Sequence, residues 1–201
     1  MWKMNTPESD RDFNRVYQVG TRDILSGIGV KNTIPDKTYT NEENQIVDEK
    51  GQEIGHLCNQ IIKGNVNAIW SVCSPVVIKD HPCLHELRGI TLANLSKATY
   101  ASVKGMTISQ SKDHIKRAGV MPEGKALRTA WRTGIFGSTL LSSGIVKFEP
   151  ITHSVSVDDV EWVLKDLDYA YEHSTLPEKP DEKPFRDFLL KLRLENIIGG
   201  E

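Results

Sequence analysis

The 201-residue chain sets 25 Lys and Arg against 27 Asp and Glu, a formal charge of −2, and is 38% hydrophobic and 26% charged. A chain of this length can bury a substantial core, has room for one large domain or two small ones, and contains no apolar run long enough to span a bilayer. Its three cysteines, Cys58, Cys73 and Cys83, fall at unrelated spacings, which argues against a disulfide framework; with no secretory leader at Met1, a cytoplasmic protein is expected.

Near the start, Thr6-Pro7-Glu8-Ser9-Asp10-Arg11-Asp12-Phe13 places two carboxylates at i and i+2 after a turn-forming Pro. In an extended segment Asp10 and Asp12 project from the same side, where they can share divalent cations. Mg²⁺ is held by one or two carboxylates plus substrate phosphates, and a pair of such ions can clamp the attacking and leaving oxygens of a phosphoryl transfer. An Asp-x-Asp alone is also common at solvated turns, so the motif needs company.

From Phe13 to Val19 the β-branched and aromatic content reads as a strand, and Gly20, Gly27 and Gly29 punctuate a loop. Gln45 to Asp48 reads as a second strand, closed by the turn chemistry of Asp48-Glu49-Lys50-Gly51. Residues 52–63 carry Ile54, Leu57, Cys58, Ile61 and Ile62 at the spacing of a helix with one buried face. After Pro75 helical periodicity takes over, in Leu84–Leu95, Lys97–Arg117, Gly124–Leu141, Val157–His173 and Lys183–Ile197. Asp158 and Asp159 suit the first turn of the fourth of these helices, and the prolines of Leu176–Asp181 make a rigid connector into the fifth. The expected fold class is α/β of the α+β kind: a small mixed β-sheet core over residues 1–76, then a helical domain over residues 77–201.

Charge is segregated along the chain. Residues 97–148 hold nine Lys or Arg against two acids, and residues 149–201 hold thirteen acids against six bases. Lys125, Arg128 and Arg132 share a narrow arc of one predicted helix, with Leu127, Trp131 and Ile135 on another arc that can pack on the core, and Lys97, Lys104, Lys112 and Lys116 stand on the helix before it. Such a stripe can hold a triphosphate or a nucleic-acid backbone. The competing reading is of helical faces that neutralise each other on folding.

Taken in order, the Thr6–Asp12 segment, Lys63-Gly-Asn-Val-Asn-Ala-Ile-Trp-Ser-Val-Cys-Ser-Pro75, Leu95–Met106, Gly124–Arg132 and Leu176–Asp181 resemble the stations of a predicted nucleotidyltransferase family. That family belongs to the DNA polymerase beta-like nucleotidyltransferase superfamily and includes proteins associated with RNA repair. The resemblance implies a small sheet flanked by helices and a following helical domain. It also implies transfer of a nucleoside monophosphate from a nucleoside triphosphate to a hydroxyl acceptor, such as an RNA end. Asp10 and Asp12 would then hold Mg²⁺ or Mn²⁺, with a third carboxylate near Asp48 as metal ligand or base. Because Glu49-Lys50-Gly51-Gln52 does not look like a strand, Glu49 and Glu53 remain alternatives for that role. Lys104, Lys125 and Arg128 match positions that would meet the triphosphate, with Arg132 beside them, and Asn65 and Asn67 match positions expected to shape a turn and helix start.

The departure from the family lies at the chain start. The Gly-Ser pair that grips the triphosphate would fall just before Met1, Trp2 takes the place of an aromatic, and Lys3 replaces a Gly. Either the true start lies upstream or the core is N-terminally incomplete and has lost that grip, which would compromise catalysis. The alternative function is therefore a catalytically impaired nucleotide- or RNA-binding module that keeps the fold. A third class, a helical protein-interaction domain using the acidic C-terminal region, rests on the charge segregation alone.

Other constellations carry less. His81-Pro-Cys83-Leu-His85 lacks the paired spacing of zinc sites, and Cys58 and Cys73 read as packed thiols. His56 reads as a helix-surface residue or a support for a carboxylate, and Trp70 and Trp131 as core. Gly134, Gly137 and Gly144 do not form a phosphate loop, having no preceding strand and no following Lys-Ser or Lys-Thr.

Overall fold

The structure, a computed structural model, describes residues 11–27, 31–116 and 124–198. In chain order these form β1 Arg11–Tyr17, α1 Thr21–Leu25, β2 Thr33–Thr40, β3 Ile46–Glu53, α2 Ile54–Ile62, α3 Val66–Cys73, α4 Pro82–Ala93, α5 Thr99–Lys116, α6 Lys125–Ser143, α7 Val157–His173 and α8 Lys183–Ile198. The class is α+β, a small mixed sheet with helices, and no described helix is long and apolar enough to cross a membrane. The chain divides into two compact units. Among the described residues, one holds residues 62–116 and 124–180; the other holds residues 11–27 and 31–61 together with residues 181–198. Relative to a division at residue 76, α3 joins the helices and α8 joins the sheet.

In the sheet unit the strand order is β1-β3-β2, with β3 parallel to β1 and antiparallel to β2. β3 runs straight through Asp48-Glu49-Lys50-Gly51, where local chemistry predicts a turn. As the central strand it has a hydrogen-bonded neighbour on each side, and that pairing overrides the turn preference. Gly51 sits mid-strand because a Cβ there would lie 2.3 Å from Ile34 Cγ1 on β2: the isoleucine occupies the space a side chain would take.

β2 itself has no clear periodic signal. It is almost wholly exposed, carries Pro35, and its register breaks between Ile34 and Lys37, all features an edge strand tolerates. The β2–β3 loop is closed by Asn41, whose side chain accepts from Glu43 N at 3.1 Å and Gln45 N at 2.8 Å, with Asn44 at φ 63°.

Hydrogen bonds from the segment around α1 help hold α8 within this unit. Asn196 Oδ1 accepts from Thr21 N at 2.8 Å, supplying the partner that Gly20 cannot provide at the start of α1. Thr21 Oγ1 donates to Arg193 O at 2.9 Å, and Gln18 Nε2 donates to Leu192 O at 3.2 Å. On the helix itself Phe185, Phe188 and Leu192 are buried.

In the helical unit, α5, α6 and α7 pack as a bundle. Gly134 and Gly137 let α6 approach its neighbours: a Cβ at Gly134 would lie 2.8 Å from Val163, and one at Gly137 2.4 Å from Val103 and 3.0 Å from Leu167. Trp70 packs edge-on against Phe136 in the core, with ring centroids 5.5 Å apart. Asn65 starts α3 by accepting from Asn67 N and Ala68 N, and Ser156 and Asp159 form a capping box on α7. Arg88 closes the far end of α3, donating to Val72 O at 2.8 Å and Ser74 O at 2.7 Å.

Gly51→Val should therefore destabilise the protein by about 1–3 kcal/mol through overpacking. The additional substitution Ile34→Ala should recover part of that loss. Denaturant melts of the single and double variants read both effects; additive losses would show that Ile34 is not the obstruction.

Candidate functional site

Parallel pairing of β1 with β3 places Asp12 directly opposite Asp48. Registered neighbours in a pleated sheet project to the same face, so these two carboxylates stand side by side on adjacent strands. On the other flank Thr38 is registered with Asp48, and its Oγ1 donates to Asp48 Oδ1 at 2.6 Å. One row across all three strands thus reads Asp12, Asp48, Thr38. Asp12 is exposed and Asp48 half-buried, so the pair is open to a ligand. Asp10 lies outside the described residues, and among those residues no group of three metal-ligating side chains is gathered.

The register also separates the three carboxylates that local reading leaves open. Glu49 and Glu53 project from the opposite face, which carries buried Val47 and Gly51. Glu49 is engaged by Arg15. Glu53 is buried, pairs with Arg193, and accepts from Gly55 N at 2.6 Å and His56 N at 3.2 Å. It serves as a cap for α2, and His56 meets it through its backbone. Only Asp48 of the three shares the Asp12 face.

The basic candidates belong to the helical unit. Lys104 on α5 is committed: its Nζ contacts both oxygens of Asp168 on α7 at 2.8 and 2.9 Å and donates to Tyr100 Oη at 2.9 Å, while Tyr100 itself donates to Asp168 at 2.8 Å. The Asp168 and Tyr100 hydrogen bonds hold the Lys104 ammonium above its ordinary range. Burial opposes charge on Asp168, but the hydrogen bonds from Lys104 and Tyr100 outweigh it and keep the carboxyl below its ordinary range. Here the reading of mutually neutralising faces holds. Along α6, Lys125 is exposed, Arg128 half-buried and Arg132 half-buried. Burial pushes the Arg132 guanidinium down to about 10, so the stripe does not present three equivalent cations to solvent.

The residues set aside by sequence have ordinary structural work. His81 Nδ1 caps α4 by accepting from Cys83 N at 3.2 Å, and His85 Nε2 meets Asp80 at 2.8 Å. Burial, and then the charge of Glu53, push the Cys58 thiol up to about 12, which leaves it inert at neutral pH. Thr38 is the site residue that sequence reading misses. Its signal is the Tyr39-Thr40 and Ile46-Val47 pairs flanking the Asn41–Asn44 loop, a hairpin pattern partly hidden by Pro35.

Comparison with protein-family models, with curated proteins and with solved structures finds no match to this chain.

The Lys104–Asp168 pair makes a pH prediction. Asp168 has its folded value below the ordinary 3.8, so its contribution is present above that value and is lost as pH falls through the folded one. Lys104 has its folded value above 10.5, so its contribution is present below 10.5 and is lost as pH rises through the folded one. Both side chains are a third or more exposed, 33% and 43%, so a double-mutant cycle of Lys104→Met and Asp168→Asn should return only about 0.5–1 kcal/mol of coupling at pH 7. The Asp168→Asn variant should also show a shallower loss of melting temperature below pH 4.

Proposed function

We propose that the protein is a Mg²⁺-dependent nucleotidyltransferase, moving a nucleoside monophosphate from a nucleoside triphosphate to a hydroxyl acceptor, with an RNA end as the acceptor class suggested by the resemblance. The observation that carries this reading is the registered pair of Asp12 and Asp48 on the open face of the sheet. The local sequence suggests a turn after Asp48, yet the strand runs on with that carboxylate registered beside Asp12.

The donor set suits the cation. Carboxylate oxygens are the hard ligands that Mg²⁺ and Mn²⁺ take, and one or two of them suffice when substrate phosphates complete the shell. Asp12 and Asp48, with Asp10 from the sequence motif, would hold it. Bound there, divalent cations supply charge neutralisation on the phosphates and activation of the attacking oxygen.

Asp48 is oriented by Thr38, which occupies Oδ1 and leaves Oδ2 for the ligand or for the proton of the acceptor hydroxyl. This is the geometry expected of a base fixed by a neighbouring donor. The exposure of Asp12 leaves its carboxylate accessible to a nucleotide arriving from solvent.

Pyrophosphate release from each of the four nucleoside triphosphates, with Mg²⁺ and an RNA oligonucleotide, tests the proposal. Asp12→Asn and Asp48→Asn should each lower turnover roughly a thousandfold, the several kcal/mol of charge stabilisation that a metal clamp supplies. Thr38→Val should cost about 10–100-fold. Unchanged turnover in either aspartate variant would overturn the reading, and metal-dependent nucleotide binding without turnover on any acceptor would favour the catalytically impaired module.

A further inference from the structure

The row next to Asp12 and Asp48 on the same face is Asn14 on β1, registered with Lys50 on β3. Two residues along a strand return to the same face about 7 Å away, so Lys50 stands one pleat repeat from Asp48. It is also the one cation that the described strands place on that face. Arg11, Arg15 and Lys37 alternate to the other side, where Arg11 meets Glu43 and Arg15 meets Glu49.

Despite two carboxylates nearby, Lys50 is exposed and forms no ion pair or hydrogen bond among the described residues through its side chain. The backbone opposite it is unusual as well. Ile34 pairs with Gly51 and Lys37 with Glu49, so the register break of β2, at Pro35 and Asp36, lies directly across from Lys50. Bulges at such positions interrupt the ladder and re-aim side chains beside functional sites. Lys50 therefore lacks a single registered neighbour on that flank and keeps its mobile ammonium free to meet an anion.

We propose that Lys50, with the Asn14 amide beside it, is the polyphosphate contact of the site, binding the phosphate tail of a metal-complexed nucleoside triphosphate. The inference rests on the reading of Asp12 and Asp48 as metal carboxylates. It makes the sheet a source of phosphate recognition as well as of metal ligands. A cation at this place recognises the tail that every nucleoside triphosphate shares, so it contributes affinity without selecting the base. Asn14 adds an amide donor that can hydrogen-bond a phosphate oxygen.

Calorimetric titration of the full chain with Mg²⁺-ATP, Mg²⁺-CTP and Mg²⁺-AMP, in wild type, Lys50→Gln, Lys50→Arg and Asp48→Asn, tests it. Lys50→Gln should weaken both triphosphates about tenfold, leave AMP unchanged, and be largely rescued by arginine. Lys50 is exposed, so circular dichroism should report an intact fold. Triphosphate affinity unchanged in Lys50→Gln, while Asp48→Asn abolishes it, would overturn this inference and leave the metal reading standing. An equal loss for AMP would overturn it too, since a tail contact cannot act on a ligand without the tail. If the wild type binds no triphosphate, both the site reading and this inference fall.

Discussion

A buried carboxylate at the junction of β3 and α2 organises the sheet unit. Glu53 ends the central strand, and a charge taken out of water at that point would cost several kcal/mol unless fully answered. It is answered from three directions: Arg193 on α8, and the backbone amides of Gly55 and His56 at the start of α2. Gly55 is part of the arrangement, because a Cβ there would lie 2.9 Å from Glu53 Oε2 and 3.5 Å from Arg193 Nη2. Arg193 in turn donates to Val19 O at 2.7 Å, on the segment leaving β1. One ionic contact thus ties the end of β3, the start of α2, the exit of β1 and the last helix. Removal of either partner would leave a largely buried charge without its counter-charge, so the position of β3, and with it the place of Asp48, depends on this contact.

With Glu53, Val47 and Gly51 turned to one side of β3, pleating puts Asp48 and Lys50 on the other. The polarity of that second face is then a consequence of burial on the first. Asp12, Asn14 and Lys50 on the open face are all exposed, and none contributes to the core. They are free of packing duty, and that gives a chemical reading of them weight beyond the Asp-x-Asp motif alone.

How much of this was legible in the sequence differs by element. The long helices declare themselves, because Val160, Val163, Leu167 and Ala170 bury one face of α7 at helical spacing. The mixed α+β character follows from the contrast between these helices and the β-branched start of the chain. The central strand is less legible, since Lys50-Gly51 carries turn chemistry and only Ile34, on a strand disguised by Pro35, explains the glycine. The pairing of Asp12 with Asp48 is a matter of long-range register, which local pattern does not encode. Lys104 shows the same limit from the other side. Its own helix offers no acid close by, and the carboxylate that binds it arrives from α7, 64 residues along the chain.

The sheet unit is assembled from residues on both sides of the helical unit. Vectorial synthesis gives that arrangement a temporal order. A ribosome completes residues 62–180 before it makes Arg193 and Asn196, so the helical unit has all its residues while the sheet unit still lacks its last helix. Until α8 emerges, Glu53 is a carboxylate without its guanidinium and the first turn of α1 lacks the side chain that caps it. A nascent chain stalled near residue 180 would therefore carry β3 and α1 without the contacts that α8 supplies to them, and the setting of the aspartate pair would be complete only once α8 has been made.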